Sequence, residues 1–418
     1  MSSLSGSSRG ALWRDRDFLR LWSAQTVSDF GARITRDGLP MMAVVSLAAL
    51  PGQLGVLYAL TSGAALVVGL SAGGYIDGTL RRPILIATDL IRAAVLISLP
   101  VAAWLGVLSM VQVYVVAALV ASASVFFDIA DHAYLPGLVG KAQVVDANAR
   151  IAATESVAEM GGPALAGVLF QWLTAPFAVV VNAVTYLVSA VLLAGIRAPE
   201  PPPVREDGDE GGWLHGVVTG ARTAWSEARV RVLLIMSATG GLFGGFFGAL
   251  YIAFVLRDLG LSPALLGIGI ATGGVGALAG SAIAMPMARR LGVGPTICVA
   301  GALAALGVMI VLLAPTNTVG AMACLMVSQF LGDCFGVVPL VLATSLRQSV
   351  LPGNVLGRVD ATFRATGGGA AVVGALAGGA LGQVLGMRVT LLLAVAGLMI
   401  GPLVGMLSPL RKVREMPA

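Results

Sequence analysis

Apolar stretches of about 20 residues recur along the whole chain, and they limit what it can fold into more than any other feature. A helix of that length crosses the hydrocarbon core of a membrane, and the stretches show none of the alternation that a membrane barrel requires. Of the 418 residues, 57% are hydrophobic and only 11% are charged, which excludes an ordinary soluble domain. The sequence predicts an all-α membrane protein.

Twelve segments are long enough to span the bilayer, six on each side of a polar linker. They are predicted at about 18–48, 54–76, 83–107, 110–138, 146–173, 176–196, 231–256, 263–288, 294–314, 318–346, 354–386 and 389–408. The linker is rich in proline and acid, and the segment 213–228 after it has apolar residues at helical spacing, which predicts a helix on the membrane surface. We therefore predict an N-terminal six-helix bundle at 1–196, a cytoplasmic linker with an amphipathic helix at 197–230, and a C-terminal six-helix bundle at 231–418.

Basic residues cluster in the loops at one side of the predicted spans, which places both termini in the cytoplasm. These residues include Arg81, Arg82, Lys141, Arg289, Arg290, Arg347, Arg358, Arg411, Lys412 and Arg414. Because the net charge of +5 resides in short loops rather than in a basic domain, we expect no nucleic-acid partner. The three cysteines and two histidines lack metal-ligand spacing, so we expect neither a metal site nor a cofactor.

The two halves of the chain are similar to each other. The segment GPALAG at 162–167 aligns with GALAGG at 374–379, and Arg81 with Arg82 aligns with Arg289 and Arg290, each pair taken to close the second span of its half. A parallel duplication of six-helix units is typical of membrane transporters.

Span one carries five polar residues on one face, namely Gln25, Asp29, Arg33, Arg36 and Asp37. Asp29 lies about 16 Å along the helix from the predicted inner end, where a charge costs ~2.5 kcal/mol or more in hydrocarbon. This cost predicts that the face lines a substrate or proton-coupling cavity. The alternative is that Arg33 forms structural pairs with the two acids four residues away.

Span five carries Glu155 and Glu159, four residues apart and without a basic neighbour at helical spacing. Two carboxylates in a region of low dielectric do not both ionise easily, so one of them is expected to hold a proton at neutral pH. The alternative is that Arg33 or Arg36 of span one neutralises them permanently. In the second half, Asp333 is the lone acid of span ten, whereas Asp360 and Arg364 are four residues apart and are expected to pair.

A charged hinge separates spans two and three, and we predict that it forms a cytoplasmic gate. Its members are Gly73, Asp77, Arg81, Arg82, Asp89 and Arg92, together with Asp128 and Asp131 of span four.

The hinge and several other segments resemble known transporters. Gly73, Asp77 and the basic pair at 81–82 resemble the loop between spans two and three of the major facilitator superfamily, although Gly78 stands where that superfamily usually has a basic residue. The segments 18–35, 87–93, 125–139 and 182–190 resemble its enterobactin-exporter-like branch, the transmembrane secretion effectors. Gly162, Pro163 and Gly167 of span five are similar to the motif of proton-coupled antiporters.

The resemblance implies a secondary active exporter in the bacterial inner membrane. It would move a small amphiphilic molecule, such as a drug, a siderophore or another secreted metabolite, by alternating access in exchange for H⁺, and it would act as a monomer in the lipid bilayer. A lysophospholipid flippase or a solute importer on the same fold is one alternative. A receptor or a membrane enzyme is another, but the sequence offers neither a soluble receptor domain nor a nucleophile constellation.

Overall fold

A computed structural model describes residues 12–173, 175–200, 212–315 and 317–416, and the side chains of residues 77, 175 and 212–215 lie outside this description. Within these ranges the chain is almost entirely helical, which confirms the all-α prediction. The helices are α1 (Arg16–Ser46), α2 (Pro51–Ser71), α3 (Gly73–Asp77), α4 (Arg81–Trp104), α5 (Met110–Val139), α6 (Val144–Trp172), α7 (Ala175–Ala194), α8 (Gly212–Ser226), α9 (Ala228–Ala253), α10 (Pro263–Leu291), α11 (Val293–Leu312), α12 (Thr318–Val350), α13 (Gly353–Leu385), α14 (Met387–Leu398) and α15 (Ile400–Leu407).

Apart from the short α3 and the linker helix α8, these helices match the predicted spans, with α14 and α15 together forming the last one. In the part of the chain that the structure describes, 10 helical segments can cross a membrane by length and composition. The helices α1 and α6, which are 31 and 29 residues long, occupy the first and fifth predicted spans but are not among these segments. Both carry many charged residues, so the two least apolar spans are the ones predicted to hold the site.

Local chemistry explains where several helices begin and end. The Asp15 carboxylate accepts hydrogen bonds from the backbone N–H groups of Asp17 (2.9 Å) and Phe18 (3.2 Å), which caps the start of α1. At the other end of a span, α10 stops where Gly292 adopts a φ of 95°, a conformation that costs glycine little. Similarly, α5 stops at Gly140 with a φ of 73°.

The chain divides into two compact units. The first comprises Met1–Leu39 and Val67–Gly208, and the second comprises Pro40–Leu66 and Asp209–Ala418. The C-terminal end of α1 and most of α2 therefore pack with helices of the second half of the sequence. The predicted domain boundaries at 196 and 231 stay predictions.

In the first unit, α1 packs closely against α7. Gly31 lies so close to Asn182 and Thr185 of α7 that a Cβ atom at this position would collide with both side chains. The buried Asn182 amide donates a hydrogen bond to the Thr35 hydroxyl of α1. The segment 182–190, quoted above only for its resemblance, thus supplies the surface that α1 packs on.

In the second unit, α13 packs closely against α9. A Cβ on Gly378 of α13 would lie 2.8 Å from the Cα of Phe246 of α9, and one on Gly374 would collide with the backbone of Leu242. Small residues permit this close approach of two helix backbones.

The aligned basic pairs differ in position, because Arg81 and Arg82 begin α4 whereas Arg289 and Arg290 end α10.

The helix predicted at 213–228 forms as α8, which packs against α13. The Thr362 hydroxyl of α13 donates to the backbone carbonyl of Val217 at 2.9 Å. Gly220 lies against the carbonyl of Arg358, where any side chain would clash. One face of α8 is therefore covered by protein, whereas Val218 and Trp225 are exposed.

Candidate functional site

The charged faces of α1 and α6 meet in an ion-pair cluster. Both guanidinium groups, of Arg33 and Arg36, pair with the carboxylate of Glu159, and Arg36 Nη2 lies 3.0 Å from Glu159 Oε1. Arg36 Nε also lies 3.8 Å from Asp37 Oδ1. Arg33 therefore pairs across helices rather than within α1. The alternative, that Arg33 or Arg36 neutralises the acids of span five, therefore applies to Glu159.

The glycine of the predicted antiporter motif lies directly beside this cluster. A Cβ on Gly162 would lie 2.6 Å from the Cβ and 2.9 Å from the Cγ of Arg33. Gly162, Pro163 and Gly167 are all buried in α6. Because Gly162 has no side chain, α6 approaches α1 closely enough for Arg33 to reach Glu159, one turn earlier on α6.

A second group of acids surrounds Asp29. The carboxylates of Glu155, Asp128 and Asp131 all lie within electrostatic range of Asp29, where the Arg33 guanidinium is the main opposing charge. Glu155 of α6 and Asp128 of α5 are exposed, although both helices correspond to predicted spans. Among the described residues, no basic group forms an ion pair with Glu155. The structure thus gathers acids from α1, α5 and α6 with fewer cations than carboxylates.

Gln25 lies on the same polar face of α1 as Asp29, and the sequence suggested no specific role for it. It is 4% exposed, and it lies beside Asp131. The two polar atoms of the Gln25 amide and Asp131 Oδ1 are all buried. The described His, Cys, Asp and Glu side chains do not converge into a group able to hold a metal ion.

His132 follows Asp131 on α5 and is held by the backbone. Its Nδ1 atom lies 2.7 Å from the carbonyl oxygen of Asp128, one helical turn earlier. This contact satisfies one ring nitrogen locally, as is usual for a lone histidine on a helix.

The basic pair of the hinge binds the ends of two helices. The Glu200 carboxylate accepts hydrogen bonds from the backbone N–H groups of Arg81 (2.6 Å) and Arg82 (3.1 Å), which caps the start of α4. The Arg82 side chain donates to the carbonyls of Leu193 (3.0 Å) and Ala194 (2.5 Å) at the end of α7. The Glu200 cap could not be predicted from the sequence, since 119 positions separate Glu200 from Arg81.

Two other hinge positions differ in what the structure describes. The side chain of Asp77 lies outside the described part of the chain. At Gly73 a Cβ atom would meet nothing within 4 Å, so close packing does not require glycine there. The gate role of both stays a prediction.

Asp89 and Arg92 lie in the interior of the first unit. Arg92 Nη2 is 2.5 Å from Asp89 Oδ1, and the two side chains are 2% and 0% exposed. The guanidinium also stacks on the rings of Phe127 and Tyr186, at 4.4 and 4.1 Å from their centroids. The pair joins α4 to α5 and α7 and is about 12 Å or more from the start of α4. It makes no described contact with Arg81 or Arg82, and its gate role also stays a prediction.

The second unit has a smaller polar group. Tyr251 of α9 donates a hydrogen bond to Gln329 of α12 at 3.1 Å, and the nearby Asp333 acts electrostatically on Tyr251. Gly273 of α10 lies directly against the Asp333 carboxylate, leaving no room for a side chain. Asp333, the lone acid of its span in the sequence, therefore belongs to a three-helix arrangement.

The expected pair of Asp360 with Arg364 is wrong. Asp360 Oδ1 instead lies 3.4 Å from Arg347 Nη1 of α12. The guanidinium of Arg347 also stacks on Phe363 at 4.0 Å from the ring centroid. A partner on another helix therefore replaces the neighbour four residues away.

A protein-family model described as transmembrane secretion effector matches residues 7–417. The chain belongs to the transmembrane secretion effector family. A comparison with curated protein sequences gives no significant match.

Solved structures of transporters resemble this member of the family over nearly its whole length. The nucleoside transporter NupG has a TM-score of 0.76 at 12% identity, covering 94% of this chain and 98% of that one. A bacterial homologue of the iron transporter ferroportin gives 0.73 at 17% identity, with 94% and 98% covered. A bacterial homologue of the lysosomal transporter Spinster gives 0.65 at 14% identity, with 99% and 100% covered.

These likenesses confirm the predicted all-α major facilitator fold, whereas the division into two pseudo-symmetric six-helix bundles stays a prediction. Membership of this family, with the 10 described helical segments that can cross a membrane, shows that the chain is a multi-pass membrane transporter and not an enzyme. At such low identities the solved structures show the fold alone.

Proposed function

We propose that the chain exports a small amphiphilic molecule, such as a drug, a siderophore or another secreted metabolite, by alternating access in exchange for H⁺. It acts as a monomer in the bacterial inner membrane with both termini in the cytoplasm. The N-terminal bundle handles the proton.

The observation that carries this proposal is the excess of acids over cations around Asp29. Arg33 and Arg36 pair with Glu159, and Arg92, which is within electrostatic range of Asp128, pairs with Asp89. None of the described ion pairs includes Asp29, Asp128, Asp131 or Glu155. Carboxylates that share a region of low dielectric cannot all ionise cheaply, so at least one takes up a proton. A group that gains and loses a proton inside a spanning segment is what H⁺ exchange requires.

The exposure of Glu155 gives the proton a route. An exposed carboxylate in hydrocarbon would be costly, so the exposed face of α6 that carries Glu155 is expected to border water or cargo rather than lipid. Glu155 is one turn from Glu159, whose carboxylate pairs with two guanidinium groups. We assign proton exchange to Glu155 with Asp29, and electrostatic control of the cavity to the cluster of Glu159 with Arg33 and Arg36.

Export rather than import is supported by the motif at Gly162. That segment is similar to the motif of proton-coupled antiporters, and in this fold it adjoins Arg33. An importer or a lysophospholipid flippase would share the fold but would not need exchange of cargo for H⁺.

Transport by purified protein in proteoliposomes with an imposed pH gradient tests the proposal. A panel of amphiphilic compounds should include at least one that moves against its gradient when protons flow the other way. Glu155→Gln should reduce this proton-driven movement about tenfold or more, because it removes a proton-binding group. The matched control is Asp146→Asn on the same helix, where Asp146 pairs with Arg150 at 2.9 Å and is not part of the cluster.

Two results would overturn the proposal. One is cargo movement that is indifferent to the pH gradient. The other is undiminished proton-driven movement in both Glu155→Gln and Glu159→Gln.

A further inference from the structure

The second unit contains a cavity of ≈ 580 Å³ lined by α9, α11, α12, α13 and the junction of α14 with α15. Its wall is predominantly apolar, with side chains such as Leu233, Met236 and Val308. The volume lies within the range of about 300–1,000 Å³ that is typical of small-molecule sites. All lining residues belong to this one unit, and none of them is in the carboxylate cluster.

Glycines on two walls of this cavity leave open space. A Cβ atom on Gly240 of α9 or on Gly336 of α12 would meet nothing within 4 Å. By contrast, Gly241 beside Gly240 is so close to the backbone of Gly367 that no side chain fits. Gly241 therefore allows α9 to pack closely against α13, whereas Gly240 on another face of α9 adds space to the cavity.

Two arginines, two threonines and a serine supply the polar part of the wall, namely Arg347, Arg364, Thr239, Thr344 and Ser237. Arg347 is largely buried and fixed, since it pairs with Asp360 at 3.4 Å and donates to the Thr344 hydroxyl at 3.2 Å. Arg364 is exposed and forms no ion pair among the described residues. The wall thus offers two guanidinium groups against one neighbouring carboxylate, and neither an acid nor an aromatic cage lines it to attract a cation.

We propose that this cavity binds a single-chain anionic amphiphile. The chain lies along the apolar wall between Gly240 and Gly336, and the anionic head binds Arg364 beside Arg347. Apolar area provides the binding energy for the chain, and a guanidinium forms paired hydrogen bonds with a carboxylate or phosphate. A cavity of this volume accommodates one chain rather than the two of a bilayer phospholipid. The site goes beyond the proposed exchange of cargo for H⁺ and does not depend on it.

Photo-labelling without any ion gradient tests the site independently of transport. The purified protein in phosphatidylcholine nanodiscs is irradiated with palmitate that carries a diazirine at the end of its chain. Label should appear on peptides of α11 and α12 that line the cavity. Gly240→Leu and Gly336→Leu should each lower labelling about tenfold by filling the space. Gly244→Leu is the matched control, since its Cβ also meets nothing within 4 Å but Gly244 does not line the cavity.

Variation of the head tests the anionic specificity. Arg364→Gln should weaken palmitate labelling about tenfold, and Arg364→Lys should retain part of it. Unlabelled palmitate and lysophosphatidate serve as competitors that distinguish a carboxylate head from a phosphate head, and competition by either supports the site. An unchanged melting temperature shows that each variant is folded.

Three outcomes would overturn the inference. These are label located away from the cavity peptides, labelling that survives both glycine substitutions in folded protein, and equal labelling by hexadecylamine with the same diazirine. The last would show that the head need not be anionic.

Discussion

Gly162 of α6 and Arg33 of α1 are in direct contact, and a Cβ on the glycine would lie 2.6 Å from the Cβ of the arginine. The same arginine pairs with Glu159, one turn away on α6. Gly162 therefore sets the distance between α1 and α6 at which Arg33 pairs with Glu159.

Gly162→Ala should separate α1 from α6 at this point. The added methyl group forces Arg33 away, and overpacking of this kind costs about 1–3 kcal/mol. We expect a lower melting temperature and a transport rate reduced about tenfold, because the guanidinium is displaced from Glu159. Gly161→Ala is the matched control, since its Cβ would lie an ordinary 3.8 Å from Phe30. Equal effects of the two substitutions would contradict the proposed role of the contact.

Asp89 and Arg92 should behave as a structural pair. Arg92→Met leaves the Asp89 charge buried without a partner, and removing one member of a buried pair costs about 3–5 kcal/mol. Replacing both residues, as Asp89→Leu with Arg92→Met, should recover most of this loss. Thermal unfolding of the two single variants and the double variant measures the coupling.

The gate prediction for this pair differs from the structural role in what it expects for transport by the double variant. If Asp89 and Arg92 act in gating, the double variant should unfold like the wild type but fail to transport. Normal transport by a stable double variant would remove the pair from the gate.

The sequence predicted the spans closely because each one is a continuous apolar run whose length the bilayer fixes. It also predicted which face of α1 is polar, since Asp29 and Arg33 follow helical spacing. It could not predict the partners of charged groups, because these are on other helices. Arg33 pairs with Glu159 on α6, and Asp360 pairs with Arg347 on α12 rather than with Arg364 on its own helix.

The cavity of the second unit could not be predicted from the sequence for a different reason. Its volume depends on positions where side chains are missing, and the sequence does not distinguish Gly240, beside open space, from Gly241, against the backbone of Gly367. Phe243 and Phe246 of α9 do not line this cavity. Phe243 lies against Gly397, and Phe246 lies against Gly378.

Glu200 should stabilise the start of α4. Glu200→Ala removes the acceptor for the N–H groups of Arg81 and Arg82, and loss of a helix cap costs about 0.5–2 kcal/mol. We expect a lower melting temperature, with Glu415→Ala, the loss of an exposed acid near the C-terminus, as the control. If Glu200→Ala and Glu415→Ala unfold alike, the cap does not contribute to stability.

Arg257 fixes the turn that follows α1. It lies in a π-helical turn, Phe254–Asp258, at the end of α9, and its guanidinium donates to the carbonyls of Ala49 (2.7 Å) and Val44 (3.0 Å). Between these two residues Ala48 adopts a φ of 48°, which is unfavourable for a residue with a Cβ. The arginine therefore binds both sides of a strained turn.

Two substitutions with opposite signs test this arrangement. Arg257→Gln loses hydrogen bonds to a charged donor and should lower the free energy of unfolding by about 1.5–3 kcal/mol. Ala48→Gly relieves the left-handed conformation and should raise it by a few tenths to about 1 kcal/mol, after the entropy gained by the unfolded glycine. In the double variant, Ala48→Gly should offset part of the loss, because a glycine turn needs less support. If Ala48→Gly is destabilising and the two effects simply add, Arg257 does not act by holding a strained turn.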